Sequence, residues 1–131
     1  MPFIRLTILT PSLSETQARA LQEGTTRLMN SVLGKNASLT AVLVEQASSG
    51  GWSIGNEAAP IAAHVDAMIT AGTNSPEEKA RFIAEEMSLL RQVLGPALRD
   101  ETYIILHEIP AESWGYGGRT QEDRKKRREV A

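Results

Sequence analysis

Residues 14–34 read SETQARALQEGTTRLMNSVLG, and residues 75–95 read SPEEKARFIAEEMSLLRQVLG. Each stretch opens on a serine with Gln17 or Glu78 three positions on, the reciprocal capping-box pattern of a helix start. Pro76 stands at the first helical position of the second, where its missing N–H is harmless. Each stretch closes on Leu-Gly, the glycine being the residue expected just past a last turn. Leu21, Thr25, Leu28, Met29, Val32 and Leu33 share one helical face, as do Phe82, Leu89, Leu90, Val93 and Leu94. Ser14 to Ser75, Leu21 to Phe82, Val32 to Val93, Leu33 to Leu94 and Gly34 to Gly95 are all 61 apart. Cap, core and stop recurring at one offset mark an internal duplication.

The flanks of the two helices repeat as well. Before the first, Ile4, Leu6 and Ile8 alternate with Phe3, Arg5 and Thr7, a strand pattern. After it, about Leu39 to Gln46 reads as a second strand. Ser48 to Asn56 is a glycine-rich turn around Trp52. In the second copy, Ala63 to Thr70 and Thr102 to Glu108 are the strands, the latter carrying the β-forming run Tyr103-Ile104-Ile105-Leu106. Ser113 to Gly118 is the matching turn around Trp114. Trp52 and Trp114 are 62 apart, so one residue is inserted after Gly95, and Pro96 is the candidate.

The chain therefore divides into a first β-α-β unit (2–56), a linker (57–62), a second β-α-β unit (63–118) and a charged tail (119–131). Each unit is too small to bury a core well alone, so the two should share one. The predicted class is α+β: a four-stranded mixed sheet with two helices on one face, each parallel crossover being right-handed.

Composition narrows the function. With no cysteine, disulfides and thiolate metal sites are excluded, and His64 and His107 lie too far apart in sequence to suggest a metal site. A net charge of −2 argues against a broad polyanion-binding surface. No apolar run approaches the roughly 20 residues of a bilayer span, and no secretory leader pattern is seen, so a soluble cytoplasmic protein is expected. The tail holds Arg124-Lys125-Lys126-Arg127-Arg128, interleaved with Glu122, Asp123 and Glu129 and nearly without apolar residues. It reads as a solvated or frayed end rather than a nucleic-acid patch.

Pro2 directly follows Met1. A small second residue lets the initiator methionine be trimmed, which would leave Pro2 a free secondary amine at the start of a strand. Such an amine can serve as a base. If Met1 stays attached, the Pro2 nitrogen is an amide and cannot. The counterpart at offset 61 is Ala63, an ordinary amide within the chain, so only the first unit can carry this group.

A Met-Pro start, a strand, a serine-capped helix ending Leu33-Gly34-Lys35-Asn36, a hydrophobic strand and a Trp/Gly turn together resemble the 4-oxalocrotonate tautomerase superfamily. The second unit is similar at Leu94-Gly95 and from His107 to Gly118. The chain looks like a fused member, with two short tautomerase units on one chain. The resemblance implies a keto–enol tautomerase: Pro2 as general base and acid on a small 2-oxo acid or enol, no cofactor, and a homotrimer. It also implies that Trp114, in the second unit's turn, lines the Pro2 pocket with Phe3 and Ile69 as apolar neighbours. A catalytically silent binding or scaffold protein of the same fold, or a hydratase- or dehalogenase-type relative, are the alternatives.

The chain departs from the family at the positions that hold a substrate carboxylate with arginine. Leu13 and its counterpart Asn74 precede the helices, the matching positions in the second strands are about Ala41 and about Tyr103, and Ala71 to Asn74 holds no basic residue. Tyr103 and His107 share a strand face and are candidate substitutes, as hydrogen-bond donor and as second acid/base. Arg5 and Arg119 are the candidate cations, with plain surface charge as the competing reading. Tyr116 reads as a packing residue of the turn.

Overall fold

The computed structural model describes residues 2–48 and 50–130, with side chains through 129. Met1, Ser49 and Ala131 lie outside the described residues, so the expected trimming of Met1 and the Ser49 part of the first glycine-rich turn fall outside them too. The first unit runs β1 (Phe3–Leu9), α1 (Glu15–Ser31), β2 (Ala41–Gln46) and a hairpin of β3 (Ser53–Ile54) and β4 (Glu57–Ala58). The second runs β5 (Ala62–Thr70), α2 (Pro76–Leu94), β6 (Tyr103–Ile109) and a hairpin of β7 (Gly115–Tyr116) and β8 (Arg119–Thr120). A third helix, α3 (Gln121–Val130), follows.

Both capping boxes form: Ser14 and Ser75 accept from the N–H groups of Gln17 and Glu78, whose side chains reach back to the serine N–H groups. The Glu78 carboxylate is held below its ordinary range, first by the Ser75 backbone N–H and then by Asn74. The four main strands make one sheet in the order β2-β1-β5-β6. The central pair β1–β5 is antiparallel, and β2 and β6 lie parallel to β1 and β5. Alternation decides which face is buried. Ile4, Leu6, Ile8, Val65, Ala67 and Ile69 are fully buried against Leu21, Met29, Phe82 and Leu90 of the two helices. Each such side chain contributes on the order of 1.5–3 kcal/mol by leaving water. The opposite face of the sheet carries Arg5, Tyr103, Ile105 and His107.

The duplication is visible in three dimensions. The two hairpin turns, Gly55-Asn56 and Gly117-Gly118, have positive φ at both positions, the conformation of a two-residue hairpin turn. The strands β2 and β6 begin 62 residues apart, so the inserted residue lies in 95–102, where Pro96 stands. Thr25 and Glu86 occupy the same place in the two repeats and meet where α1 crosses α2, Thr25 Oγ1 lying 2.9 and 3.2 Å from the carboxylate oxygens.

Two local expectations change. Residues 37–39 form a 3₁₀ turn, because Asn36 Oδ1 accepts from the Ser38 N–H, and this delays β2 to Ala41. The tail is not a frayed end: Gln121–Val130 is helical and docked onto the second hairpin. Arg124 lies 3.7 Å over the Tyr116 ring and donates to the Tyr116 carbonyl at 2.8 Å. The stacked guanidinium supplies the docking that apolar residues would otherwise give. Among the described residues, no helix is long and apolar enough to cross a membrane.

Candidate functional site

Pro2 is buried at the open end of the central strand pair. Its carbonyl accepts from the Ala41 N–H at 3.2 Å, and the Phe3–Met68 pairing places Pro2 across from Ile69. The strand alternation puts it on the helix-facing side with Ile4 and Leu6. A cavity of about 450 Å³ opens at this end of the sheet. One wall is Leu33, Gly34, Lys35, Asn36 and Leu39, the segment joining α1 to β2. Ala111, Tyr116, Gln121, Lys125 and Arg128, from the second unit's turn and α3, also line it. Thr70 and Thr73, just past the end of β5, complete the lining.

Lys35 is the buried cation of this cavity. Its Nζ donates to Thr73 Oγ1 at 2.8 Å, and Thr73 in turn donates to the Thr70 carbonyl at 2.6 Å. An ammonium has three donors, so two remain. Burial draws its pKa below the ordinary 10.5, partly countered by the charges of Glu78 and Glu108. The backbone earns this position locally: Gly34 turns at positive φ, and the Lys35 N–H donates to the Met29 carbonyl, folding the chain back under α1.

The sequence candidates are distributed unevenly around this cavity. Trp114 donates from Nε1 to Thr70 Oγ1 at 3.2 Å, so it braces the cavity rim. Trp114 and Arg119 themselves line a separate, shallower groove of about 300 Å³. Tyr116, read from sequence as packing, lines the cavity itself. Tyr103 is 66% exposed, and its partner His64 stands opposite Thr7, at the other end of the sheet from Pro2. His107 and His64 both reach Asp66, at 2.7 and 3.2 Å, on the face away from the helices. Partial burial pushes the Asp66 carboxyl up, but the hydrogen bond from His107 and the nearness of His64 outweigh it, and the net displacement is downward. Arg5 pairs with Glu45 at 3.3 Å on that outer face. Within one chain, then, none of Tyr103, His107, Arg5, Trp114 and Arg119 is among the residues lining this cavity, and Pro2 lies beside it, across from the residue that precedes Thr70, rather than in its lining. Lys35, Lys125 and Arg128 do line it, and none of them was a sequence candidate. The signal available was a helical one: positions 121, 125 and 128 fall on one face of a helix.

The corresponding cavity of the second unit lies at Ala63, the counterpart of Pro2. It is about 420 Å³ and is lined by Trp52, Ile54, His64, Glu101 and Tyr103. The two cavities are alike in volume and different in the charges that line them. The charged side chains lining the Pro2-end cavity are cations, with Glu78 and Glu108 close enough to act on Lys35, and the Ala63-end lining carries a carboxylate and a histidine. Among the described residues, no group of three or more His, Cys, Asp or Glu is placed to hold a metal ion.

A family model described as tautomerase enzyme matches residues 64–124. The probable tautomerase K2 of Dickeya dadantii (strain 3937) is 33% identical over 57 residues, spanning 44% of this chain and 85% of that protein. A fused 4-OT solved as an asymmetric trimer is similar with a TM-score of 0.80 at 20% identity, covering 93% of this chain and 98% of that one. The structure of Pt0534 inactivated by 2-oxo-3-pentynoate gives a TM-score of 0.83 at 15% identity, covering 93% and 98%.

Proposed function

The chain belongs to the 4-oxalocrotonate tautomerase superfamily as a fused, two-unit member, and from that premise we propose that it is a keto–enol tautomerase acting through Pro2 on a small 2-oxo acid or its enol. The single observation that carries this reading is that Pro2 is buried at the end of the sheet where a cavity lined by Lys35, Lys125 and Arg128 opens. Freed of Met1, the Pro2 nitrogen is an amine beside Ile69 and the buried sheet face. Such surroundings disfavour its charged form and bring its pKa toward the working pH, where a general base is most effective.

The steps are simple. The carboxylate of an enol acid is held by the Lys35 ammonium, through the donors that Thr73 leaves free. The Pro2 amine takes the enol hydroxyl proton as the carbonyl forms. The protonated amine then returns a proton to the adjacent carbon, so the substrate is isomerised and the enzyme is restored. Thr73 and Thr70 hold Lys35 in place, and Trp114 holds Thr70. The trimer named for the fused relative, and the apolar residues Phe3, Leu43 and Ile105 exposed on the outer sheet face, support a homotrimer. Soluble, cytoplasmic operation without a cofactor fits this chemistry.

The reading is tested with a panel of enols, such as phenylenolpyruvate and 2-hydroxymuconate, on protein whose intact mass shows Met1 removed. Turnover that falls by roughly 10²–10⁴-fold in Pro2→Ala, the span of a general base, is expected. No turnover of any enol by trimmed protein would leave a silent binding protein of the same fold.

A further inference from the structure

We propose that the cavity at the Ala63 end is a second binding site, separate from the Pro2 chemistry, and that it takes a small aromatic ammonium. The site stands apart from the tautomerase reading and does not rest on it.

The duplication allows the two cavities to be compared position by position. Gly34-Lys35-Asn36 is answered by Gly95-Pro96-Ala97, which holds no charge. Leu39 and Ala41 are answered at offset 62 by Glu101 and Tyr103, and Phe3 at offset 61 by His64. Glu101, Tyr103 and His64 all line the Ala63-end cavity. So this end has no counterpart of the Lys35 ammonium, and it carries a carboxylate, a phenol ring and an imidazole where the Pro2 end has apolar side chains. The absence of a proline accounts for none of these three.

The lining accepts hydrogen bonds. His64 Nε2 lies 3.2 Å from Asp66 Oδ2. In the neutral ring that nitrogen carries the proton shared with Asp66, and Nδ1 is left with a lone pair. Glu101 is a second acceptor. Its Oε1 receives Arg99 Nε at 3.0 Å, but the two side chains are 46% and 40% exposed. An ion pair so exposed is worth little, and it gives way to a cation held on other sides as well. Among the residues lining the cavity there is no lysine or arginine. A ligand with N–H donors and a positive charge matches these groups, and a carboxylate does not.

The aromatic part of the ligand is met by Trp52, Tyr103 and Ile54. At the Pro2 end the Trp114 N–H is tied to the Thr70 hydroxyl, but the counterpart of Thr70 is Leu9, which has no oxygen on its side chain. Trp52 is instead packed against the cluster of Leu9, Ala59 and Ala62, and the Ala59 N–H donates to its carbonyl at 3.2 Å. The ring is thereby fixed before a ligand arrives, which lowers the entropic cost of binding. Two electron-rich rings beside a carboxylate attract an organic cation by cation–π and ion-pair contacts together. The volume of about 420 Å³ is that of a small-molecule site. A second copy of the chain is the competing occupant, and it would leave no room for a free amine.

The test is calorimetric titration of the full chain, near pH 8 where an ordinary histidine is neutral, with 2-phenylethylammonium and with 2-phenylethanol, its uncharged counterpart of nearly the same shape. Wild type should bind the amine and prefer it over the alcohol by roughly tenfold or more. Glu101→Gln should weaken the amine by roughly tenfold to a hundredfold, the range for one lost charge-assisted bond, and leave both the alcohol and enol turnover unchanged. Trp52→Leu, which keeps the apolar packing, should weaken the amine by roughly threefold to thirtyfold. Glu101→Gln alters an exposed side chain and decides the matter alone should Trp52→Leu lose the hairpin. No amine binding by wild type, as when a second copy fills the cavity, overturns the proposal. So does equal affinity for amine and alcohol, or amine affinity unchanged in Glu101→Gln. Amine binding without turnover of any enol would remove the tautomerase reading and leave this one. Enol turnover without amine binding would do the reverse.

Discussion

Replacing Glu86 with glutamine tests how the two halves are joined. Glu86 is fully buried and faces Thr25 at the crossing of α1 and α2. Burial raises its pKa from the ordinary 4.5 to about 7, and the Thr25 hydroxyl draws it only partly back. The direction of the pH effect follows from linkage. Below the unfolded value both states hold the proton. Between about 4.5 and 7 the unfolded chain releases it and the folded chain keeps it, so stability falls as pH rises. Above about 7 both are ionised and the penalty is constant. Each tenfold change in proton affinity is worth about 1.4 kcal/mol, so the full penalty is on the order of 3 kcal/mol. Glutamine has the same shape, cannot ionise, and its carbonyl can still accept from Thr25. Glu86→Gln should therefore be more stable than the parent by about 3 kcal/mol at pH 8 and nearly equal to it at pH 4.5. Urea denaturation of both chains across that range, at one fixed protein concentration, measures the difference. Parallel pH profiles, or a difference that grows toward acid, would refute the reasoning.

Three further outcomes are expected. Ser75→Ala removes the α2 cap and should lower stability by about 1 kcal/mol in thermal or urea unfolding. Gly115→Ala should disrupt the second hairpin, because a Cβ there would run into the Arg119 backbone carbonyl; loss of α3 helicity and of anion binding, read by circular dichroism and titration, checks it. Lys35→Met should raise KM for an anionic enol by roughly tenfold or more through loss of a charge-assisted contact, while leaving the fold intact in the same unfolding assay.

The fold was legible because it is written twice. Serine caps, apolar faces and Leu-Gly stops recurring at one offset named the helices, and the alternation in β1 named the buried face. Thr25 and Glu86 share that offset as well, but nothing in the sequence says that equivalent positions of the two helices touch. Of the proposed site, the sequence drew attention to Pro2 by its position after Met1, and to little else. Alternation grouped Tyr103 and His107 on one strand face, and the sheet turns that face, which also carries Arg5, away from the helices; alternation could not say that the cavity at the Pro2 end is lined by other residues. Lys35 looks like an ordinary charge after a helix until Gly34 folds it beneath α1. Lys125 and Arg128 are hidden among equal numbers of similar charges, and their direction appears only when α3 is seen pinned by Arg124. The tail's lack of apolar residues suggested a solvated end because docking by a stacked arginine leaves no hydrophobic stripe.

The proposed role of a free Pro2 amine is tested most directly by separating the trimmed and Met1-retaining forms of one preparation, confirming each by intact mass, and measuring kcat/KM of both on the same enol. The account predicts that turnover belongs to the trimmed form and is reduced by roughly 10²-fold or more in the blocked one. Equal activity in the two forms would contradict it, because an amide nitrogen cannot carry the proton.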